Sequence, residues 1–560
     1  MQMPMGRYAL DTKGPSYATD TPVDFVVIGS GIAGGTVARE LTRKGFDVVL
    51  LEQGRKVPPS DMEHDELGAF MWPRWTNDPA VSPQTYRKTA ADKPEQRNFA
   101  SYARAVGGTT LHFTGNFWRF RPIDFNEKTV RGGVPGAALE DWPITYEELE
   151  PYYTAVEYAV GVSGEVGDDP REPFRSKPFP LPPLPAHGPG VLLEIGAKKL
   201  GWASKAAPMA ILSREYNGRQ PCHNCGFCLA FPCEWGAKGG ANWTMVPEAL
   251  ASGKCELRSD SYVRKIQTDD AGRVTGVVYF NAQKQEVVQK AKAVVLCANG
   301  AETPRLLLNS KSNRFPNGLA NGSGMVGKHL MTNGNVASTA EFEHEVAAHK
   351  GPVVTRITQE HYELPKDLNL IGGGGFDVRM SVPGLIWTLG MPETGPMWGS
   401  GFKQRMRPWF NNAVEALGHT TQLPQATNTV ELDPELKDAW GVPAMRITFK
   451  EHEHDMRLFK FFSERGRELL TAAGAKVVHT GDINDAPGSA VHLLGTARMG
   501  NDPQTSVVDK YHRAHDVKNL FIVDGSSFVT SGRGQPTMTI QALAFRAADH
   551  IAESAKKGEI

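Results

Sequence analysis

The chain has 560 residues, a length that predicts roughly three to four domains at about 150 residues each. Its 61 basic and 62 acidic side chains leave a formal net charge of -1, which argues against a nucleic-acid surface or a polybasic membrane patch. With 40% hydrophobic and 22% charged residues the composition is globular, which excludes disorder for most of the chain.

The N-terminal region contains an arm followed by a strand–helix–strand pattern. Residues 1–20 are expected to form an extended arm, and they contain no export signal, so we expect a cytoplasmic protein unless another subunit carries it out. The apolar run at 23–28 predicts a buried strand, a helix should reach Lys44, and 47–51 predict a second strand. This order is typical of a dinucleotide-binding βαβ unit.

A glycine fingerprint lies at the turn of this unit. Gly29, Gly31 and Gly34 follow the first predicted strand and begin the helix, and Glu52 ends the next strand about 20 residues later. The glycines permit a tight turn and a close approach of the backbone to a pyrophosphate, whose charge the helix N-terminus stabilises. Glu52 is placed to accept hydrogen bonds from ribose hydroxyls. The pattern therefore predicts a bound dinucleotide.

Three later segments favour FAD over NAD. Gly107, Gly108 and Thr109 form a second glycine-rich segment, a strand-like run ends at Asn299, and Asp524-Gly525 follow the last predicted strand. One molecule that contacts four distant segments must be extended, which favours FAD.

The rest of the chain suggests how these parts are organised. We expect loops and short helices over 55–100, an extended crossing segment over 165–190, an antiparallel sheet within 330–450 and a final helix over 537–554. The predicted divisions are a first FAD-binding part (20–150), a crossing segment with a cysteine cluster (151–240), a second FAD-binding part (241–330), a substrate-binding domain (331–485) and a C-terminal FAD-binding part (486–560).

Four of the six cysteines form a close cluster with the spacing C-x2-C-x2-C-x4-C: Cys222, Cys225, Cys228 and Cys233. Thiolates this close together can hold an iron–sulfur cluster, and ferredoxin motifs use nearly this spacing. A structural zinc and a set of redox thiols or disulfides are the alternatives. Cys255 and Cys297 are interpreted as ordinary buried thiols.

These motifs together resemble the GMC (glucose–methanol–choline) oxidoreductases along the whole chain. The resemblance also rests on Asp141-Trp142-Pro143-Ile144 and on the motif from His492 to Gly500. It implies an α/β fold with a Rossmann-like FAD-binding domain and a substrate-binding domain built on an antiparallel sheet. Within the family, the cysteine cluster and residues 141–153 are similar to the large subunits of bacterial sugar and polyol dehydrogenases.

The resemblance implies catalytic roles for two residues. Alcohol oxidation by a flavin needs a base for the hydroxyl proton, and histidine suits this role because its unperturbed pKa is about 6.5. His492 occupies the position of the family's catalytic histidine. Gln535 stands where the family usually has His or Asn; its amide cannot act as a base but can donate to the substrate oxygen. The helix that begins near Thr537 would direct its dipole at the flavin.

The resemblance also refines the cofactors. It suggests a three-iron (3Fe-4S) cluster held by Cys222, Cys228 and Cys233, with Cys225 the doubtful ligand. His112 lies in a segment similar to one that carries a histidyl-linked flavin in pyranose 2-oxidases, and a noncovalent packing role is the alternative. Val263 and Pro536 complete the expected FAD contacts.

The leading hypothesis is an FAD-dependent dehydrogenase that oxidises a hydroxyl of a sugar, polyol or glycoside by hydride transfer to flavin N5. Electrons would leave through the iron–sulfur cluster to a partner such as a cytochrome c. A small export-carrying subunit would then bring the chain to the periplasmic side of the inner membrane. The same chemistry on an aromatic or polycyclic alcohol and an oxygen-using carbohydrate oxidase are the alternatives.

Overall fold

The computed structural model describes residues 9–71, 74–167, 169, 171–381, 384–481, 483–485 and 488–560. These residues form helices α1 to α11, in chain order Ile32–Arg43, Pro122–Phe125, Glu127–Arg131, Tyr146–Val160, Gly188–Leu200, Met245–Ala251, Asn299–Asn309, Gly384–Leu389, Gly399–Asn412, Glu453–Ala473 and Thr537–Lys556. They form strands β1 to β17, in chain order Val23–Ile28, Val48–Leu51, Gln84–Arg87, Glu95–Gln96, Lys205–Ala206, Cys255–Arg258, Tyr262–Thr268, Val274–Phe280, Glu286–Leu296, Gly334–Glu341, Arg356–Thr358, Gly374–Arg379, Ala413–Thr420, Thr429–Lys437, Pro443–Thr448, Val477–Thr480 and Leu520–Ile522.

The central sheet has seven strands with β1 in its middle. β1 pairs in parallel with β2 and β9, β6 extends the sheet beyond β2, and β17 pairs in parallel with β9. β8 and β7 continue it in the antiparallel sense. α1 packs against α6 and α11, and the apolar side chains of these helices and the sheet form one buried core. β1 and β2 are covered on both faces and are apolar except for the partly buried Asp24 of β1, and the predicted βαβ unit is confirmed.

A second sheet has six strands in the order β16-β10-β13-β12-β11-β5 and is antiparallel throughout. Burial alternates along β10, because one of its faces packs on the core formed with α5 and α10. The antiparallel sheet predicted within 330–450 is therefore confirmed for β10 to β13. β5 and β16, which complete it, come from outside that range.

Two expectations are corrected by the structure. β14 and β15 belong to a third sheet together with β3 and β4, in the order β14-β15-β3-β4. The 55–100 region was expected to form only loops and short helices, yet it contributes β3 and β4; these strands are short and polar, and their partner β15 lies far away in sequence. Residues 1–8 of the predicted arm lie outside the described residues, and Tyr17 is tied to the sheet by its backbone N–H, which donates to Glu256 at 2.8 Å.

Candidate active site

The glycine fingerprint forms a tight turn between β1 and α1. Gly29 has a positive φ of 94°. A Cβ on Gly34 would lie 1.8 Å from the Gly29 carbonyl oxygen, so α1 can approach the turn only with glycine there. A Cβ on Gly31 would meet only Gly108, at 3.9 Å, because Gly31 faces a cavity.

Glu52 and Ser30 connect this turn to the second glycine segment. The Glu52 carboxylate accepts from the Ser30 N–H at 2.9 Å, the Ser30 hydroxyl at 2.8 Å and the Gly54 N–H at 3.0 Å. Burial raises the pKa of Glu52, although these donors act in the opposite direction. The Gly107 N–H donates to the Ser30 Oγ at 3.1 Å, so the two glycine segments predicted from sequence are in contact.

The third and fourth predicted segments meet at Asp524. Its carboxylate accepts from the Asn299 N–H at 3.0 Å, the Thr303 hydroxyl at 2.6 Å and the Ser526 N–H at 2.8 Å. Burial raises the pKa of Asp524. These bonds fix the start of α7 beside the turn that follows β17.

All four segments line one cavity of about 710 Å³. The predicted FAD-contacting residues that line it are Gly29, Gly31, Glu52, Gly108, Thr109, His112, Val263, Asn299, Asp524, Gly525, Pro536 and Thr537. Gly34 and Gly107 lie behind this lining, where they permit close packing of the backbone. A long cavity cradled by glycines and edged by a buried carboxylate fits an FAD molecule.

His492 and Gln535 line the same cavity. Burial lowers the pKa of His492 to about 3, with a smaller contribution from nearby His419, so its imidazole is neutral at physiological pH. Among the described residues, none makes a hydrogen bond with His492 Nδ1. Since Nδ1 is enclosed, the ring nitrogen that can accept a proton from a molecule in the cavity is Nε2. Arg498 of the same motif donates to the backbone oxygens of Thr505 and Ala138, which indicates a structural role.

His112 lies farther along the cavity wall. Burial lowers its pKa to about 4, and its Nε2 has no hydrogen-bond partner within the described ranges. Its backbone oxygen accepts from the Ala230 N–H at 3.0 Å, which joins this wall to the cysteine segment.

The four clustered cysteines line a second, small cavity of about 20 Å³. Cys228 is buried, Cys225 is exposed, and all four are free thiols. Burial raises the pKa of Cys222 to about 11 and that of Cys228 to about 12. No three His, Cys, Asp or Glu side chains in the described part of the chain converge on a site for one metal ion. Cys255 is a buried thiol as expected, and Cys297 is buried and also lines the large cavity.

The sequence did not reveal one group of cavity residues. Asn335, Arg379, Ser381 and His419 come from the six-stranded sheet and its edges and give the cavity a second polar wall. His419 is a single histidine in a strand, without a motif around it. Its place on the same cavity as the glycine segments becomes visible only when the two sheets are assembled.

Comparisons with known proteins agree with this architecture. Family models for GMC oxidoreductases match residues 23–333 and 424–544. The chain is 36% identical to 2-methyl-1,2-propanediol dehydrogenase of Mycolicibacterium austroafricanum, over 94% of this chain and 95% of that one. It is 28% identical to the fructose dehydrogenase large subunit of Gluconobacter japonicus, over 96% and 98% of the two chains.

Among solved structures, formate oxidase of Aspergillus oryzae matches with a TM-score of 0.65 at 16% identity, covering 97% of this chain and 100% of that one. This match supports the fold. None of the described helices is long and apolar enough to cross a membrane.

Proposed function

The chain belongs to the GMC oxidoreductase family, and from that membership we propose that it is an FAD-dependent dehydrogenase acting on a hydroxyl of a sugar, polyol or glycoside. The observation that carries the proposal is the single cavity shared by the glycine turns, His492 and Gln535. Relatives named for fructose and for a diol support a hydroxylated substrate.

The chain would hold FAD along the four segments described above, with the first turn of α1 at the pyrophosphate and Glu52 near the ribose. Pro536 and Thr537, at the N-terminus of the 20-residue α11, line the cavity, so the positive end of this helix stabilises negative charge there. Bound FAD would supply the hydride acceptor.

His492 would take the hydroxyl proton. Its ring is neutral and lines the cavity, as a general base requires. Gln535 would donate an amide N–H to the substrate oxygen and stabilise its developing negative charge. Both residues lie at the same cavity.

The test is anaerobic mixing of the yellow purified protein with glucose, fructose, sorbitol, gluconate, a methyl glucoside and 1,2-propanediol. We expect at least one of them to bleach the flavin absorbance. A colourless protein, or activity that requires added NAD, would refute the proposal. In a second assay, oxygen consumption as fast as the reduction of an artificial electron-acceptor dye would favour an oxidase instead.

A small non-sugar diol is a second candidate substrate. The observation that favours it is the 36% identity to 2-methyl-1,2-propanediol dehydrogenase, the higher of the two identities given above. Inclusion of that diol in the same panel distinguishes the candidates by their relative kcat/KM.

We also propose that His112 is the attachment point if the flavin is covalently bound, because the residue lines the cavity and its Nε2 has no partner among the residues described. Acid-precipitated protein should then stay yellow, and the His112→Ala variant should release its flavin. Release of all flavin from the wild-type protein would refute the attachment and leave His112 a packing role.

The cysteine cluster is proposed to hold an iron–sulfur cluster through which electrons leave. Leu229 and Ala230 line the large cavity, whereas neighbouring Cys228 lines the small one, so the two cavities share a wall. Buried Lys238 connects this wall by donating to the backbone oxygens of Phe113, Cys228 and Phe231 at 2.6, 2.7 and 2.8 Å. Cys222, Cys225, Cys228 and Cys233 all line the small cavity and would be the ligands of the cluster.

Iron content tests this assignment. Anaerobically prepared wild-type protein should contain about three irons per chain and give an EPR signal, and Cys228→Ser should lose both. Cys255→Ser, which alters a buried thiol in β6 outside the small cavity, is the matched control and should keep its iron. Stoichiometric zinc without iron would contradict the proposal.

A partner subunit is proposed because one relative is named a large subunit. We propose a small export-carrying subunit, a cytochrome c acceptor and a location on the periplasmic side of the inner membrane. Expression of the chain alone should leave it in the cytoplasm, whereas co-expression with a small subunit that carries an export signal should move it to the periplasm. Periplasmic delivery without a partner would contradict this.

A further inference from the structure

The cavity has a polar wall that the proposed chemistry does not use. It comes from the six-stranded sheet and is built by Asn335 of β10, Arg379 of β12 and His419 of β13. His419 is buried and packs edge-on against Trp118, with ring centroids 5.4 Å apart. Asn335 is exposed toward the cavity.

A buried charge fixes the His419 ring. His419 Nε2 lies 2.8 Å from Asp377 Oδ2, and Arg379 binds the same carboxylate. Burial alone would raise the pKa of Asp377, but Arg379 and His419 lower it to about 2, so the carboxylate is ionised. Burial lowers the pKa of His419 despite Asp377, so the neutral ring donates its Nε2–H to Asp377.

This donation leaves Nδ1 as an acceptor, and Nδ1 faces Asn335. The Asn335 side-chain amide oxygen Oδ1 lies 3.1 Å from Nδ1. Two acceptors cannot pair, so we assign the amide with its oxygen and nitrogen exchanged, and its N–H then donates to Nδ1. The amide oxygen and the second N–H of Asn335 are then directed by His419. They provide one acceptor and one donor at the cavity surface, the pair that a hydroxyl group requires.

The polar wall reaches the predicted catalytic residues directly. The Gln535 amide nitrogen lies 3.1 Å from His419 Nδ1 and 3.4 Å from Nε2, so it lies over the ring face. His492 lines the same cavity. The Asn335 and Gln535 amides each lie 3.1 Å from one atom, His419 Nδ1, so hydroxyls bound to the two amides are close enough to belong to neighbouring carbon atoms.

We propose that Asn335, held by His419 and Asp377, binds a second hydroxyl of the substrate on the carbon next to the one that is oxidised. Asn335 is then a specificity-determining residue, and His419 and Asp377 are positioning residues. This inference rests on the proposed function and narrows its substrates to vicinal diols, whether sugars, polyols or small diols. An analogue without the second hydroxyl leaves the polar wall without a partner and should be rejected.

The test compares a diol with its matched mono-alcohol. The most rapidly oxidised compound of the panel is paired with the analogue that lacks the neighbouring hydroxyl, which for 1,2-propanediol is 1-propanol. Wild-type protein should prefer the diol by about 10- to 100-fold in kcat/KM for anaerobic flavin reduction. Asn335→Ala and His419→Leu should reduce this ratio to a few-fold.

The matched control is His479→Leu. His479 also pairs with a carboxylate, Glu341 at 3.0 Å, in the same sheet but outside the cavity, so the ratio should stay at the wild-type value. A merely structural role of His419 would lower the rates for both alcohols equally and leave the ratio unchanged.

The outcomes distinguish a failure of the proposed function from a failure of this inference. If no compound bleaches the wild-type flavin, the proposed function fails and this inference fails with it. If the diol and the mono-alcohol react within threefold of one another, the function stands and the inference is overturned, whether or not the His419 variant folds. A wild-type preference that survives Asn335→Ala also overturns it, because that exposed side chain can be truncated without loss of the core.

Discussion

The proposed chemistry depends most on one imidazole. His492 Nδ1 is buried and has no partner among the residues that the structure describes, so its base function can be removed without breaking a protein hydrogen bond at that atom. We expect His492→Gln to slow anaerobic flavin reduction by about 10²–10⁴-fold, since a positioned base is lost. Stopped-flow absorbance at saturating substrate measures this step apart from electron exit.

Gln535→Ala is the companion variant and should cost less. It removes one hydrogen bond to the substrate oxygen, about 1–3 kcal/mol. Flavin content should be unchanged in both variants. Reduction in His492→Gln within a few-fold of the wild-type rate would mean that another residue takes the proton.

The pH dependence of flavin reduction follows from the burial of His492. The base must be neutral to act, and because its pKa falls to about 3 it stays neutral far below the ordinary histidine range. The rate should therefore be flat from pH 8 to about pH 5, with its acid limb at lower pH. An inflection between pH 6 and 7 that disappears in His492→Gln would show that the ring has its ordinary pKa in the complex.

For single residues, the sequence could identify those that belong to a motif. It could not identify contacts that form only when strands pair. His492 and Gln535 lie in recognisable motifs, and the structure brings them to one cavity. His419 and Asp377 meet because β12 and β13 pair with Gly375 opposite His419, which makes Asp377 its diagonal neighbour. No sequence spacing encodes that register.

At the scale of elements, the turn between β1 and α1 leads to a sharp prediction. A Cβ at Gly34 would lie 1.8 Å from the Gly29 carbonyl oxygen, so Gly34→Ala must move α1 away from the turn. We expect this variant to lose most of its flavin, measured as the absorbance ratio at 450 and 280 nm, and to unfold at lower temperature. Gly133→Ala, where no described atom lies within 4 Å, is the control and should retain both. Full flavin retention in Gly34→Ala would contradict this account of the turn.

The helices and strands differ in how accurately the local sequence pattern predicts their bounds. β1, β2 and α11 were predicted within two residues at each end, because continuous apolar runs and an Ala-rich amphipathic stretch are strong local signals. β3 and β4 were missed because β3 pairs with β15, more than three hundred residues away, and the two-residue β4 is exposed and pairs only with β3 among the described strands. The sheet that carries His419 was predicted to be antiparallel, whereas its two edge strands, β16 and β5, were not predicted.

At the scale of the whole molecule, buried titratable groups make stability depend on pH in two opposing ways. Burial lowers the pKa of His329 and His512 to about 3, so protons on these groups favour the unfolded chain. Burial raises the pKa of Glu415 and Glu451, so protons on those groups favour the folded chain. The net dependence combines both sets, and a test must therefore isolate one group.

His512 allows such a test because it is fully buried and lies outside both cavities. Its folded pKa of about 3 is below the unfolded value of about 6.5, so the stability of wild-type protein relative to His512→Gln should be constant above pH 6.5. Below it, the unfolded wild-type chain gains a proton that the folded one does not, and the difference should shrink by about 1.4 kcal/mol per pH unit. Urea unfolding of both proteins at pH 7.5, 6 and 5 measures this. By pH 5 the wild type should have lost about 2 kcal/mol relative to the variant, since the other groups cancel in the comparison. A difference that stays constant from pH 7.5 to 5 would mean that His512 titrates alike in the folded and unfolded chains.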